Sequence, residues 1–436
     1  MKKNGFIMST YVYILLVFFL LLLGTMLVVL NNTRLLANKI KENTDGNIDF
    51  NLVLKGDKEI FIVKDSEYIE PGCIATTFDG EKLEVRVMGE VNAKKSGEYD
   101  IEYSAEYKGV EKKVKRKVIV GENLVTYITN LYEDSITRAS NNLKKDNTED
   151  KNIRYYGANP NNYVRFNNEL WRIIGIFGNN VKLIRNDRLG WLSWDTSEST
   201  VNNGYGINQW GESKDTSGNI YEGADLQVYL NKMYYGGIEV TCYNDLNNTK
   251  TTCPKDSNGN FLELDDVAKN LIDNHTWNIG AMRYISRTNT LTFYQAERGS
   301  VHGKSSCSSG NQCNDTIIRT TEWTGYVGLP YVTDWAYASS EGICETNMAT
   351  QDSSNNYICK NNNWMQKSIL AWYLLPVTTS SGACYAWYVN KTGDPAGNYT
   401  YGLGGVIPAV YLKSDVFVTG GLGTSDNPYK LWLSEN

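Results

Sequence analysis

The chain has 436 residues, which exceeds what one hydrophobic core usually organises and predicts two or three domains. Its 43 basic and 49 acidic side chains give a formal net charge of -6, a balance that excludes the polybasic face typical of nucleic-acid binding. Thirty tyrosines and eleven tryptophans, beside many Asn, Gly, Ser and Thr residues, indicate either a loop-rich recognition surface or a large β-rich fold.

The first segment is apolar and uncharged over residues 6–30, which is long enough to span a bilayer. No small-x-small cleavage site follows it, so the pattern favours a retained helix over a removed secretory signal. We therefore expect residues 1–48 to form a transmembrane anchor and a stalk helix. Lysines and arginines flank both ends, so charge alone does not set the orientation.

The opening "KKNGFIMST" also resembles the leader of type IV prepilins, in which a short basic segment ends in Gly and cleavage leaves an N-terminal Phe. Gly5 and Phe6 fit this processing site, whereas Thr10 stands where the family has Glu. An uncleaved anchor and a processed, pilin-like subunit of a surface filament therefore both remain open.

Residues 51–121 alternate short apolar segments with turns, a pattern typical of a β-sandwich. Tyr99, Ile101 and Tyr103 recur with period two, and Lys108 with Gly109 marks a turn to the partner strand. The segment resembles bacterial immunoglobulin-like domains, which act as spacers in surface proteins, so we assign it no chemistry. The residues that carry this resemblance are Glu70, Pro71, Gly72, Asp79, Gly80, Gly97, Tyr99 and Tyr103.

A basic run lies in the last strand of this segment, over residues 112–117. We expect it to be a solvated strand face that resists edge-to-edge aggregation, although contact with an anionic wall polymer is the alternative. Residues 122–150 follow as a predicted linking helix, with apolar residues at helical spacing. The polar stretch "KKDNTEDKN" then marks the boundary of a last domain at residues 151–436.

The last domain opens with "YVRFNNELWRIIGIFGNNVKLIRND", which predicts a three-strand meander with Asn-Asn turns. Helices are predicted from Ala224 and from Leu264, each with an acidic first turn. Between these elements lie long Asn-, Gly- and Ser-rich loops. Loops of this length in a compact domain are usually functional or cross-linked by disulfides.

The cysteine spacing favours disulfide cross-links in these loops, because six of the eight cysteines fall into three close pairs that lack zinc-site spacing. We expect local disulfides outside the cytoplasm, which places the bulk of the chain extracellular as a single-pass membrane protein. No pairing is assigned to Cys73 or Cys384. The disulfide candidates are Cys242 with Cys253, Cys307 with Cys313, and Cys344 with Cys359.

No metal or cofactor is expected. The stretch "KDSNGNFLELDD" offers acidic and amide oxygens, but Phe261 stands where an EF-hand needs Gly, so it is interpreted as a solvated turn. The only histidines, His275 and His302, have no nucleophile-elbow pattern beside them. Carboxylates such as Glu297, Glu322 and Asp334 are too common a residue type to indicate a glycosidase.

Residues 154–433 resemble the C-type-lectin-like domains of Gram-positive surface proteins, related in shape to formylglycine-generating enzymes. The marks are "NPNNYVRFNNELWRIIGIF", "EWTGYVGLPYVTDWAYA", "NNNWMQ", "AWYLLP" and "GVIPAVYLKSDVFVTGGLGTSDNPYKL". The resemblance implies an α+β head whose last third binds ligands. Carried over by position, the ligand-binding residues are Tyr385, Trp387, Tyr388, Asn390, Asn398, Tyr399 and Tyr401.

The sequence therefore predicts a mainly β chain with an α+β head, a membrane-anchored extracellular binding protein of the adhesin type and not an enzyme. Its expected partner is a carbohydrate or protein on a cell surface, and nucleic acid is excluded. A pilin-like structural subunit is the alternative, and a surface hydrolase is the third and least favoured hypothesis.

Overall fold

The structure is a computed structural model that describes residues 18–19, 21–34, 49–196, 206–244, 250–280, 289–299, 317–376 and 384–433. Residues 21–34 are helical. Within these described ranges, no helix combines the length and the apolar character that crossing a membrane requires. Gly5, Phe6, most of the predicted span, the predicted stalk at 35–48, and the pair Cys307 and Cys313 lie outside the described residues.

The chain divides into two compact units. The first draws its residues from Met1–Ile62, Ser66–Ala93 and Glu98–Ile119, and the second from Val63–Asp65, Lys94–Gly97 and Val120–Asn436. The strands of the immunoglobulin-like segment are β1 Phe50–Leu54, β2 Glu59–Val63, β3 Cys73–Thr77, β4 Lys82–Leu83, β5 Arg86–Met88, β6 Gly97–Tyr107 and β7 Val110–Asn123.

Two sheets enclose the core of the first unit. One has the order β1-β3-β4, and in the other β7 lies between β2 and β6, with β5 on the far side of β6. Phe50, Ala75 and Ala105 are buried together between strands of the two sheets. Lys108 and Gly109 both have positive φ, 47° and 82°, which is the backbone of the predicted β6–β7 hairpin turn.

The basic run in β7 is not uniformly solvated, which corrects the expectation for residues 112–117. Arg116 is fully buried because even-numbered positions of β7 point inward. Its guanidinium donates to the Glu70 carboxylate and, through Nε, to the carbonyl of Asp57 at 2.9 Å. The Tyr103 hydroxyl donates to the same carboxylate, and burial raises the pKa of Tyr103 to about 12.

The residues of the predicted linking helix, 122–150, lie in the second compact unit and form two helices and a strand instead of one helix. Asp134 breaks it, because its carboxylate accepts from the amides of Ile136 (3.0 Å) and Thr137 (2.8 Å) and caps a new helix. Leu143, expected on the helix, lies in a strand. The helical elements of the second unit are α1 Leu124–Glu133, α2 Ser135–Asn141, α3 Asp225–Val228 with a π-helical continuation Tyr229–Tyr235, α4 Asp266–Leu271, α5 Thr290–Glu297, α6 Val332–Tyr337, and the 3-10 turns Gly342–Glu345 and Ile358–Lys360.

Among the described residues of the second unit, the strands form one large sheet, a five-stranded sheet and three small sheets. The strands are β8 Leu143–Lys145, β9 Ile153–Tyr155, β10 Tyr163–Phe166, β11 Glu169–Phe177, β12 Asn180–Arg185, β13 Gly190–Ser193, β14 Ser213–Asp215, β15 Ile220–Tyr221, β16 Cys242–Tyr243, β17 Lys250–Thr251, β18 His275–Asn278, β19 Ile317–Ile318, β20 Glu322–Gly325, β21 Val327–Gly328, β22 Ala371–Pro376, β23 Tyr385–Val389, β24 Pro395–Tyr399, β25 Leu403–Val406, β26 Ala409–Tyr411, β27 Val416–Gly420 and β28 Tyr429–Leu433.

The large sheet runs β21-β26-β12-β11-β10-β28-β27, with β9 on β11 and β8 on β9. Its centre is the predicted meander β10-β11-β12, and the first turn has positive φ at Asn167 and Asn168, 54° and 58°. Asn tolerates this left-handed backbone, which is why the paired asparagines mark the turn. Trp171 and Ile173, both fully buried, anchor β11 in the core.

The second sheet has the order β13-β25-β22-β23-β24. Trp372 on β22 packs against β25 at Gly404, where an added Cβ would lie 2.2 Å from the indole nitrogen. The same nitrogen donates to the carbonyl of Leu192 on β13 at 2.9 Å. This close approach holds the centre of the sheet together and supports the β23–β24 hairpin at its edge.

Two of the expected cysteine pairs are disulfide-bonded in the structure, Cys242 with Cys253 and Cys344 with Cys359. They close loops with sequence separations of 11 and 15 residues. Each contributes about 3 kcal/mol in the chain-entropy account. Cys73 is a half-buried thiol 3.1 Å from the carbonyl of Val53.

Candidate ligand-binding face

The predicted ligand-binding residues lie on the hairpin formed by β23 and β24. Its register pairs Tyr385 with Tyr399 and Trp387 with Gly397. Because side chains alternate across a strand, Tyr385, Trp387 and Tyr399 share one face of the sheet. Tyr388 and Asn398 project from the opposite face, so the predicted set does not form a single surface.

Three tyrosines of the set form a series of neighbouring rings, here called the tyrosine ladder: Tyr385, which is tilted against Tyr399, and Tyr399, which stacks on Tyr401. The ring centroids of Tyr385 and Tyr399 are 4.4 Å apart, and those of Tyr399 and Tyr401 are 4.9 Å apart at an interplanar angle of 22°. All three side chains are half-buried. Burial, followed by the neighbouring Tyr399, raises the pKa of Tyr385, so its hydroxyl stays protonated at physiological pH.

Buried polar contacts hold the backbone of the ladder. Asn208, which is fully buried, donates to the carbonyl of Tyr385 at 2.8 Å and accepts from Arg319 Nε at 2.9 Å. On the other side, the Ser193 hydroxyl donates to the carbonyl of Tyr401 at 2.8 Å. The backbone positions of Tyr385 and Tyr401 are therefore fixed by contacts with the core.

Trp387 does not belong to an exposed surface, contrary to the prediction. It is fully buried, and its ring lies edge-on to Phe293 of α5 with centroids 4.8 Å apart. A large indole facing a helix fills the core under the hairpin. Removing it would therefore test folding and not ligand contact.

The side chain of Asn390 forms the hairpin turn. Its Oδ1 accepts from the amides of Thr392 (2.9 Å) and Asp394 (3.0 Å). This is an Asx-type turn, in which the side chain replaces a backbone partner. Gln366 donates to the carbonyl of Asn390 at 3.0 Å and ties the turn to the segment before β22.

The carboxylates considered for hydrolysis are in different environments. Asp334 is buried and accepts from Lys182 Nζ and Arg154 Nη1, both at 2.7 Å. Glu297 is fully buried and accepts from the Thr333 hydroxyl at 2.6 Å; burial raises its pKa to about 7. Glu322, by contrast, is exposed on β20. Two of the three are therefore parts of the core.

The acidic loop considered for calcium is a closed turn. Asp256 accepts from the amides of Asn258 (2.8 Å) and Asn260 (2.9 Å). Over the described part of the chain, no group of three or more His, Cys, Asp and Glu side chains could hold a metal ion. His275 stacks on Tyr411 with centroids 3.7 Å apart, and its Nδ1 lies 3.0 Å from Asp273.

Sequence reasoning missed Trp191, which is 40% exposed on β13. The Arg188 guanidinium carbon lies 5.3 Å from its ring centroid. An exposed tryptophan beside a cation is a frequent feature of recognition surfaces. The available signal was an apolar residue directly after the polar turn "RNDRLG".

Comparison with known proteins identifies one domain. Residues 52–120 match the family of bacterial surface protein Ig-like domains. No curated protein matches the chain.

Two solved structures show limited similarity. The crystal structure of a lipoprotein from Bacteroides thetaiotaomicron is 31% identical over 17% of this chain and 39% of that chain, with a TM-score of 0.16. The CBM51-2 and INT domains of Clostridium perfringens ZmpB are 16% identical over 33% of this chain and 32% of that chain, with a TM-score of 0.14. Both matches span less than two thirds of the solved chains. Over residues 52–120 the chain is therefore similar to the Ig-like domains of bacterial surface proteins.

Proposed function

We propose that the chain is a membrane-anchored extracellular binding protein of the adhesin type, in which residues 151–436 form a lectin-like head. The tyrosine ladder binds a carbohydrate or protein on a cell surface. The apolar residues 6–30 provide the single-pass anchor, and the immunoglobulin-like domain acts as a spacer. The two disulfides support an extracellular location for the head.

The observation that carries this proposal is the series of ring contacts from Tyr385 through Tyr399 to Tyr401 at one edge of a sheet. Tyrosine offers a flat apolar face and a polar tip while losing only two side-chain torsions on binding. The stack restricts these torsions before the ligand arrives. Such a surface suits the apolar face of a sugar ring or an extended peptide.

A surface hydrolase is less well supported. Asp334 and Glu297 are both buried, and cations or Thr333 occupy their oxygens. A glycosidase needs two carboxylates that face the scissile bond in an open cleft. Both carboxylates are instead part of the buried hydrogen-bonding and ion-pair contacts of the core.

The test is a glycan and protein array probed with the full chain and with Tyr399→Ala and Tyr401→Ala variants. Removing one ring from a recognition surface costs about 1–3 kcal/mol, so we expect binding to fall by about fivefold or more. Tyr326→Ala is the matched control, because Tyr326 is half-buried and stacks on Tyr235 with centroids 4.0 Å apart.

The control should bind as the unmodified chain does. Equal binding by all four proteins would move the site away from the ladder. A loss in Tyr326→Ala as large as that in Tyr399→Ala would show that the losses reflect stability and not contact.

A further inference from the structure

The second unit contains a cavity of about 390 Å³ that shares no residue with the tyrosine ladder. All eleven residues that line it belong to this unit. They come from β7, α1 and β27 and from three loops, which follow β2, β5 and β27. The volume lies in the range of about 300–1,000 Å³ that is usual for sites that bind small molecules. We call it the lysine cavity, after Lys64, Lys94 and Lys95 in its lining.

The lysine cavity is positively charged. Among the described residues that line it, three are lysines and one, Glu122, is acidic, so positive charges exceed negative ones by two. The whole chain, by contrast, has a formal net charge of -6. A local excess of positive charge in an acidic protein raises the concentration of anions at that place.

One of the three cations is held in place by the chain itself. Lys64 Nζ lies 2.8 Å from Glu122 Oε2, and the side-chain amide of Asn130 donates to Glu122 Oε1 at 3.0 Å. The backbone amide of Lys64 donates to the carbonyl of Gly121 at 2.7 Å. Lys64 therefore has a defined position in the wall, and Glu122 neutralises part of the positive charge of the cavity.

Ser96 supplies a buried hydroxyl to the same cavity. Its Oγ is shielded from solvent and forms no hydrogen bond with any described residue. Buried polar atoms in folded proteins normally have a hydrogen-bond partner, and lacking one destabilises the fold. A ligand that enters the cavity can provide this partner. Lys94 and Lys95 directly precede Ser96, so the hydroxyl and two ammonium groups come from one short loop.

The residue types in the lining indicate a phosphate ester. Lysine is a compact point charge that suits tetrahedral phosphate, whereas the planar fork of arginine suits a carboxylate, and the described lining contains no arginine. A phosphate ion fills less than about half of the volume, which leaves room for a carbon skeleton. Tyr127, Val418 and Leu422 form an apolar part of the wall. Val418 pairs in register with Glu122, so the apolar and charged parts adjoin.

We propose that the lysine cavity binds the phosphate group of a phosphorylated sugar or polyol. Lys94 and Lys95 donate charge-assisted hydrogen bonds to phosphate oxygens, and the Ser96 hydroxyl donates to another. The carbon skeleton of the ligand lies against Tyr127 and Val418. Because the site uses no residue of the tyrosine ladder, it does not depend on the proposed function.

The test is calorimetric titration of the full chain with glycerol 3-phosphate, inorganic phosphate and glycerol. We expect glycerol 3-phosphate to bind and glycerol to give no measurable binding, because the charged group supplies most of the affinity. Inorganic phosphate should bind about threefold more weakly than glycerol 3-phosphate, since it lacks the contacts with the apolar wall. Added salt should weaken both phosphate ligands, because Lys94 and Lys95 are exposed.

Four variants assign the binding to the cavity. Lys95→Met and Ser96→Ala should each weaken glycerol 3-phosphate by about threefold or more. Ser96→Ala should leave the thermal unfolding temperature unchanged, because the hydroxyl loses no described partner. Glu122→Gln removes a negative charge from the lining and should strengthen binding by about threefold. Lys391→Met is the matched control for Lys95→Met, since Lys391 is an exposed lysine outside the cavity, and should leave affinity unchanged.

The outcomes that would overturn the proposal are distinct. Glycerol binding as tight as that of glycerol 3-phosphate, or unchanged affinity in Lys95→Met or Ser96→Ala, would exclude a phosphate site in the cavity. Weaker binding in Glu122→Gln at an unchanged unfolding temperature would contradict the charge argument. Equal affinity for inorganic phosphate and glycerol 3-phosphate would refute the assignment to an ester. A loss in Tyr399→Ala but not in Lys95→Met would place the ligand on the ladder instead.

Discussion

Asp334 is the residue at which a single change should destabilise the second unit most. Its carboxylate lies between two fully buried cations, Lys182 and Arg154, and Arg154 Nε also lies 2.6 Å from Asp146. Burial alone raises the pKa of Asp334, but the two cations outweigh burial and lower it below 3.8. The ion pairs therefore contribute stability above that pH, which is lost as the pH falls through the folded-state pKa.

The substitution Asp334→Asn keeps the shape of the side chain and removes its charge. It leaves Lys182 without a carboxylate partner, enclosed by rings such as Tyr331, whose centroid is 4.0 Å from Nζ. Breaking a buried ion pair in this way costs about 3–5 kcal/mol. Lys182→Met should cost less, about 1–2 kcal/mol, because a thioether suits the aromatic surroundings and Arg154 still neutralises Asp334.

Urea unfolding monitored by tryptophan fluorescence measures this effect. All eleven tryptophans lie at position 171 or later, so the signal reports the second unit alone. Lys413→Met is the matched control for Lys182→Met and should change the free energy of unfolding by less than about 0.5 kcal/mol. A loss below about 1 kcal/mol in Asp334→Asn, or a larger loss in Lys182→Met than in Asp334→Asn, would refute the reasoning.

Three further predictions concern other buried groups. Burial raises the pKa of Glu297 to about 7, so the folded chain keeps a proton that the unfolded chain releases above about 4.5. The free energy of unfolding should therefore fall by up to about 3 kcal/mol as the pH rises between these values. Glu297→Gln should abolish this pH dependence, as measured by tryptophan-monitored unfolding at pH 5 and 8. Arg116→Met should destabilise the first unit by about 2–4 kcal/mol, because the guanidinium binds a carboxylate and two backbone carbonyls. Lys115→Met is the control in the same strand and should leave stability unchanged, because the Lys115 side chain is 59% exposed. Thermal unfolding monitored by circular dichroism measures both variants. Replacing Cys344 and Cys359 together by Ser should lower the free energy of unfolding by about 3 kcal/mol. Added reductant should then shift the urea midpoint of the double variant less than that of the unmodified chain. A double variant with the same urea midpoint as the unmodified chain would contradict the stabilising role of this disulfide.

The sequence by itself determined the local elements. Period-two alternation and paired asparagines located the β10-β11-β12 meander, since the turn at Asn167 and Asn168 needs residues that tolerate positive φ. Close spacing of Cys242 and Cys253, and of Cys344 and Cys359, indicated the disulfides seen in the structure. These signals are local because the physical constraint acts within a few residues.

Only the tertiary structure decided which charges and rings are buried. Arg116 sits in a run of lysines, and nothing in that run shows that it is buried; its partner Glu70 lies 46 positions away. Trp387 and Tyr399 lie on paired strands of one hairpin, yet Trp387 packs against Phe293 of α5 and is fully buried, whereas Tyr399 is half-buried. Burial depends on contacts between distant parts of the chain, so composition and spacing predicted an aromatic face but could not say which of its rings a ligand can reach.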